Sequence, residues 1–142
     1  MSEERCAMPQ FQKLTPNLLV ADVARSVAFY ADVLGFTRGM TVPDEAPFQF
    51  ASVTSGSVEI FFNDAAHAVK EYPAFLGRPI GASATMFIEV KGVDEFYAQL
   101  HGKASIVMPL VTQWYGMKEF AITDPDGYLI TFAERAAEPA QG

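Results

Sequence analysis

Cysteine, histidine and clustered basic charge are nearly missing from this chain of 142 residues. The single cysteine, Cys6, cannot form an internal disulfide, and no His, Lys or second Cys pattern surrounds it to activate a thiol. Two histidines, His67 and His101, are too few and too far apart for a zinc-spaced motif. No run of Lys or Arg interrupts a net charge of −7, which excludes the basic patch that nucleic acid or an anionic membrane surface requires. No apolar run approaches the ~18–20 residues of a bilayer span. The opening MSEERCAMPQ has no hydrophobic segment behind its charges and does not read as a secretory signal. Glycines 35, 39, 56 and 77 are scattered turn residues and form no phosphate loop. These absences predict a reduced, cytoplasmic protein with neither nucleic-acid nor membrane partners.

What is present is apolar and repetitive. Half of the residues are hydrophobic (50%) and 19% are charged, enough apolar side chain for one core. Residues 15–62 and 85–134 read as one unit written twice, with Val20 and Val90 at matching strand ends and Phe29-Tyr30 and Phe96-Tyr97 on matching helices. In the first unit a strand over 14–21 leads to Asp22, a side chain able to cap a helix whose apolar residues Val23, Val27, Tyr30, Val33 and Leu34 recur at helical spacing. Gly35 is placed to end that helix, and strands follow over 36–42, 48–54 and 57–62. The second unit gives a strand over 85–90, a helix over 93–100 and strands over 104–111, 117–123 and 128–134. Asp124-Pro125-Asp126-Gly127 is a tight-turn sequence, since Pro fixes φ and Gly supplies a left-handed position. Each unit is therefore βαβββ. The joining segment carries Pro73, Gly77, Pro79 and Gly81 and is expected to hold a short helical turn over 69–75.

The motifs fall in a distinctive order: Val20-x-Asp22, Ser26, Phe29-Tyr30, Leu34-Gly35-Phe36, Gly77-Arg78-Pro79, Tyr115-Gly116, Glu119-Phe120, and Asp124 to Tyr128. On these residues the chain resembles the vicinal oxygen chelate superfamily, which includes glyoxalase I, extradiol dioxygenases, fosfomycin-modifying thiol transferases and bleomycin-resistance proteins. The resemblance spans residues 13–135. It implies an α+β fold of two βαβββ modules forming a curved mixed sheet with a concave cleft and helices on the convex face. It also implies a homodimer, in some members with exchanged modules. The expected divisions are a flexible leader (1–12), module one (13–63), a crossover (64–82), module two (83–135) and a flexible tail (136–142).

Enzymes of that superfamily hold Mn, Fe, Ni or Zn with His and Glu. Carried onto this chain, their ligand positions fall on Thr15, Thr85 and Thr131; a fourth that is sometimes used falls best on Glu59, with Ile60 the other candidate because the turn spacing differs by one residue. Neutral hydroxyls are poor ligands for these ions and one carboxylate cannot complete a site, so no metal and no cofactor are expected. The threonines fit either ordinary β-branched strand positions or hydroxyls lining a metal-free cleft.

Strand alternation then sets the lining. An inward Thr15 brings Asn17 inward, Thr85 brings Phe87 and Glu89, and Glu59 brings Phe61. Phe48, Phe50, Trp114 and Tyr115 join from turn-rich segments. The inferred pocket is aromatic with a few polar groups, the usual composition of a small-molecule site. Each ring is equally compatible with core packing, and each acid with a solvated rim. Two functions follow. One is a metal-free binding protein of the bleomycin-resistance type, sequestering an aromatic or cationic ligand in a dimer cleft. The other is an enzyme of the lyase, isomerase or dioxygenase class, with Glu59 or Glu89 as acid/base or with a non-standard metal site recruiting His67.

Overall fold

The computed structural model describes residues 9–81 and 84–137, so Cys6 and most of the expected leader and tail lie outside the described residues. The first module runs β1 (Asn17–Val20), α1 (Val23–Ala28), β2 (Thr37–Val42), β3 (Phe50–Ser55) and β4 (Val58–Asp64). The second runs β5 (Thr85–Glu89), α3 (Val93–Leu100), β6 (Ser105–Thr112), β7 (Met117–Thr123) and β8 (Leu129–Arg135). Each builds a four-stranded mixed sheet, ordered β1-β4-β3-β2 and β5-β8-β7-β6. In both, the first strand pairs in parallel with the last, and the remaining pairs are antiparallel. The helices α1 and α3 pack on β3 and β4 and on β7 and β8, respectively. The α+β fold of paired βαβββ units expected from the repeat is the one observed.

Two local expectations need correction. The first strand begins at Asn17, after Pro16, whose carbonyl accepts a hydrogen bond from Phe61 N–H. The crossover helix starts four residues earlier than expected, as α2 (Ala65–Glu71), with a separate 3₁₀ turn at Pro73–Phe75. Its cause is a cap hidden at the end of a strand: Asp64 closes β4 and its carboxylate accepts the His67 N–H at 3.0 Å. Pro73 then stops the helix, because it has no N–H to continue it.

The α1 cap is as expected, with Asp22 Oδ1 accepting the Arg25 N–H at 3.2 Å. Beyond Ala28 the helix widens into a π turn, Phe29–Val33, and Gly35 leaves it at φ +87°. Within that turn Tyr30 is fully buried and packs on Phe62 with ring centroids 4.9 Å apart. One core unites the modules, joining Val20, Val27, Tyr30 and Phe62 to Val93, Leu100, Phe120 and Phe132.

The turn Asp124 to Gly127 is more than a reversal of chain direction. Asp126 Oδ1 accepts from Ala21 N–H and from Arg25 Nη2, both at 3.0 Å, and Oδ2 accepts from Ser26 Oγ at 3.2 Å. Its side chain is only 1% exposed. Asp124 Oδ1 accepts the N–H groups of Asp126 and Tyr128 at 2.9 Å, while Oδ2 accepts the Tyr30 hydroxyl at 2.7 Å. Tyr128 adds a bond from its hydroxyl to Leu19 O at 2.7 Å. Module two thus grips module one with two carboxylates, Asp126 at the start of α1 and Asp124 at the π turn that follows it. Burial raises the Asp124 carboxyl above its ordinary range against the lowering effect of its three donors. Gly81 passes beneath this turn at φ +81°, so close that a Cβ would stand 2.3 Å from Asp126 O.

Candidate small-molecule site

Strand register sorts the inner faces. In module one Asn17 pairs with Phe61 and Phe61 with Ser52, so these share a face with Glu59, Asn63 and Phe50. Leu18, Val20, Ile60 and Phe62 occupy the other face and belong to the core or pack against it. In module two Phe87 pairs with Thr131 and Thr131 with Ala121, while Glu89 pairs with Ala133 and Ala133 with Glu119. The opposite face carries Phe120, Ile122, Ile130 and Phe132 into the core.

Two cavities hold most of the expected lining. A cleft of about 720 Å³ lies between the free edges of β1 and β5 and is bounded by Glu59, Thr85, Phe87 and Glu89 with Leu14 and Pro16. A second hollow of about 370 Å³ sits on the module-one face, bounded by Asn17, Phe50 and Phe61. Thr15 and Thr131 border neither: Thr15 is half-buried ahead of β1, and Thr131 is buried in β8. Phe48 packs against the core. Trp114 and Tyr115 form a separate exposed pair between β6 and β7, in an edge-to-face arrangement with centroids 5.3 Å apart. The chain alone therefore distributes the expected site residues over three places.

The two candidate acids differ in setting. Glu59 forms an ion pair with Lys13 at 2.6 Å, and Glu89 is exposed at the end of β5. Both border the largely aliphatic cleft, but Glu59 is neutralised by Lys13 and Glu89 is open to solvent, so neither is desolvated as a proton-abstracting carboxylate is. Among the described residues no three His, Cys, Asp or Glu side chains converge. The hydroxyls at the three implied ligand positions do not fit the donor chemistry of Mn, Fe, Ni or Zn. His67 borders the module-one hollow, whereas His101 is exposed, with Nδ1 against Tyr97 O at 3.1 Å.

Three polar residues on these faces escaped the sequence reading. Asn63 donates its amide to Asn17 across β1 and β4. Gln49 edges the same hollow. Glu119 is 97% buried (3% exposed) and accepts the Tyr115 hydroxyl at 2.6 Å. Alternation along β7 from Ala121, the partner of Thr131, places it on the inner face of module two. The same hydrogen bond raises the Tyr115 hydroxyl above the ordinary tyrosine range.

Comparison with known proteins agrees with this architecture. The profile of the Glyoxalase/Bleomycin resistance protein/Dioxygenase superfamily matches residues 11–132. A bleomycin resistance protein of Geobacillus stearothermophilus is 33% identical over 130 aligned residues, covering 84% of this chain and 94% of that protein. A bleomycin resistance protein of Staphylococcus aureus matches to the same extent. Among solved structures, a glyoxalase/bleomycin resistance protein/dioxygenase from Nocardioides superposes with a TM-score of 0.76 at 19% identity, covering 99% of this chain and 95% of that one. The bleomycin-binding protein of Streptomyces verticillus, solved with copper(II)-bleomycin, gives 0.61 at 24% identity, covering 92% and 100%.

Proposed function

Because this chain belongs to the Glyoxalase/Bleomycin resistance protein/Dioxygenase superfamily, we propose that it is a small-molecule binding protein of the bleomycin-resistance type. It sequesters an aromatic or cationic ligand without chemical turnover, in clefts completed by a second copy of the chain. The observation that carries this reading is the 33% identity to bleomycin resistance proteins along nearly their whole length. The cavities support it: the module-one hollow is bounded by aromatic rings and amides and the larger cleft mainly by aliphatic side chains, with no convergent metal-ligand set among the described residues. On this reading Thr15, Thr85 and Thr131 stand where metal ligands stand in the enzymes. The outer edge strands β2 and β6 expose Met40, Val42, Val107 and Val111, apolar surface that a second copy would cover. An acid–base role for Glu59 or Glu89 has no comparable support, given the Lys13 ion pair and the exposure of Glu89.

The test is a titration of the purified protein with bleomycin, followed by quenching of its single tryptophan, Trp114, which is 92% exposed. Saturable quenching at one site per chain, with increased bleomycin tolerance in a susceptible bacterium expressing the protein, is the expected result. A flat titration and unchanged tolerance would overturn the proposal. Light scattering reports the dimer, and elemental analysis without chelator should find no stoichiometric Mn, Fe, Ni or Zn.

A further inference from the structure

Asparagine is disfavoured in strands, yet two stand on one face of the module-one sheet, Asn17 in β1 and Asn63 in β4. The fold does not require them. Module two carries Phe87 and Ala133 at the equivalent positions: Asn17 pairs with Phe61 as Phe87 pairs with Thr131, and Asn63 pairs with Leu19 as Ala133 pairs with Glu89. A local preference broken in one copy of a repeat and not in the other points to a use for the side chains.

Register sets each amide beside a ring. Asn17 lies opposite Phe61 and Asn63 opposite Phe50, and these rings meet edge to face with centroids 5.1 Å apart. All four residues border the module-one hollow of about 370 Å³. Asn63 Nδ2 donates to Asn17 Oδ1, and among the described residues Asn17 Nδ2 and Asn63 Oδ1 have no protein partner. Whichever amide donates, a pair linked by one such bond leaves an N–H donor and a C=O acceptor free on adjoining groups. Asn63 is half-buried, so its free oxygen is partly withdrawn from water and gains from a ligand that donates to it. Lys and Arg are absent from the described border of the hollow, so no fixed cation competes with the amides for an acceptor.

We propose that the Asn17–Asn63 pair makes the module-one hollow a subsite for a carboxamide or lactam edge, a C=O and an N–H carried together by the ligand. The ligand C=O accepts from Asn17 Nδ2, and its N–H donates to Asn63 Oδ1. This rests on the small-molecule binding reading and gives one of its cavities a ligand chemistry. A ligand that offers only an acceptor leaves Asn63 Oδ1 unpaired, and that loss is the source of discrimination.

Titrations followed by backbone amide NMR shifts test it with three probes of one shape. Benzamide carries the full edge, acetophenone keeps the C=O and lacks the N–H, and benzamidine has N–H groups and no C=O. The wild-type chain is expected to bind benzamide about fivefold tighter than either analogue, with the shifts centred on residues 61–63. Asn17→Leu combined with Asn63→Leu should bring benzamide and acetophenone together, with acetophenone still bound. Asn17→Asp turns the free donor into an acceptor and should reverse the order of benzamide and benzamidine. Asn17 is exposed, so this variant keeps the fold and decides alone if the double variant does not fold. An amide pair that serves only the sheet gives equal wild-type affinities, or a preference that the variants keep. Either result overturns the assignment, as do shifts centred elsewhere or no binding of any probe. Bleomycin titration of the same protein then separates the two readings. If bleomycin binds, only the amide assignment fails; if bleomycin and all three probes fail to bind, the binding function fails with it.

Discussion

The two modules share strand order and pairing but differ at one equivalent turn. Between β3 and β4 the chain reverses through the exposed Gly56, which has open space around it, and neither residue of the Ser55-Gly56 turn is buried. Between β7 and β8 the same reversal carries two buried carboxylates that reach across to α1 and the π turn after it. The helices differ correspondingly. The N-terminus of α3 is capped from within its own module, by Glu134 of β8, whereas α1 has Asp22 locally and Asp126 from the other module. A duplicated unit has thus become asymmetric: one turn closes a hairpin, and its counterpart holds the two halves together.

The sharpest way to break this comparison is to shorten the gripping acids. Asp126→Ala and Asp124→Ala each strand buried donors and should cost about 3 kcal/mol in urea unfolding. Ser55→Ala, at the equivalent simple turn, should stay within about 0.5 kcal/mol. Equal losses at the two turns would end the distinction. Next in size, Gly81→Ala pushes a Cβ into Asp126 O from a left-handed backbone, and thermal unfolding should report a loss of about 2 kcal/mol.

Tyr30→Phe tests the same contact by titration. Burial, then the neighbouring Asp124, holds the Tyr30 hydroxyl well above its ordinary value of 10.0. A group raised on folding contributes stability that is complete below its unfolded pKa and is lost as pH rises through the folded one. The wild type should therefore weaken progressively above about pH 10, and Tyr30→Phe should flatten that decline while costing about 1.5 kcal/mol at neutral pH. Smallest of all, Lys13→Ala removes a partly solvated ion pair with Glu59 and should change stability by less than about 0.5 kcal/mol.

The fold was legible because its signals are local and repeated. Asp22 as a cap, Gly35 as a stop, the helix over 93–100 and the strand over 117–123 all stand as read. The α2 start was not, because Asp64 serves a strand and a helix at once, and hydropathy alone does not divide those roles. The Asp124 to Gly127 segment was readable as a turn from its composition. That its acids bind Ala21, Arg25, Ser26 and Tyr30, about a hundred residues away, lay beyond any local pattern. The site was legible in kind rather than in assembly. Aromatic and amide residues do face inward, yet they occupy separate surfaces of one chain, and the buried acid Glu119, bonded to Tyr115, sat inside a motif without standing out by residue type.

Gly81 gives the crossover a constraint of a different order. A linker between duplicated halves is ordinarily where neutral drift accumulates, since lengthening or rewriting it disturbs little. Here the linker runs under the very turn that joins the halves, with its backbone against the Asp126 carbonyl. Any side chain at that position would meet the Asp126 carbonyl, so a substitution that looks harmless in a loop carries a steric cost of the kind usually met in a core. The junction of the two halves depends on a residue with no side chain at all.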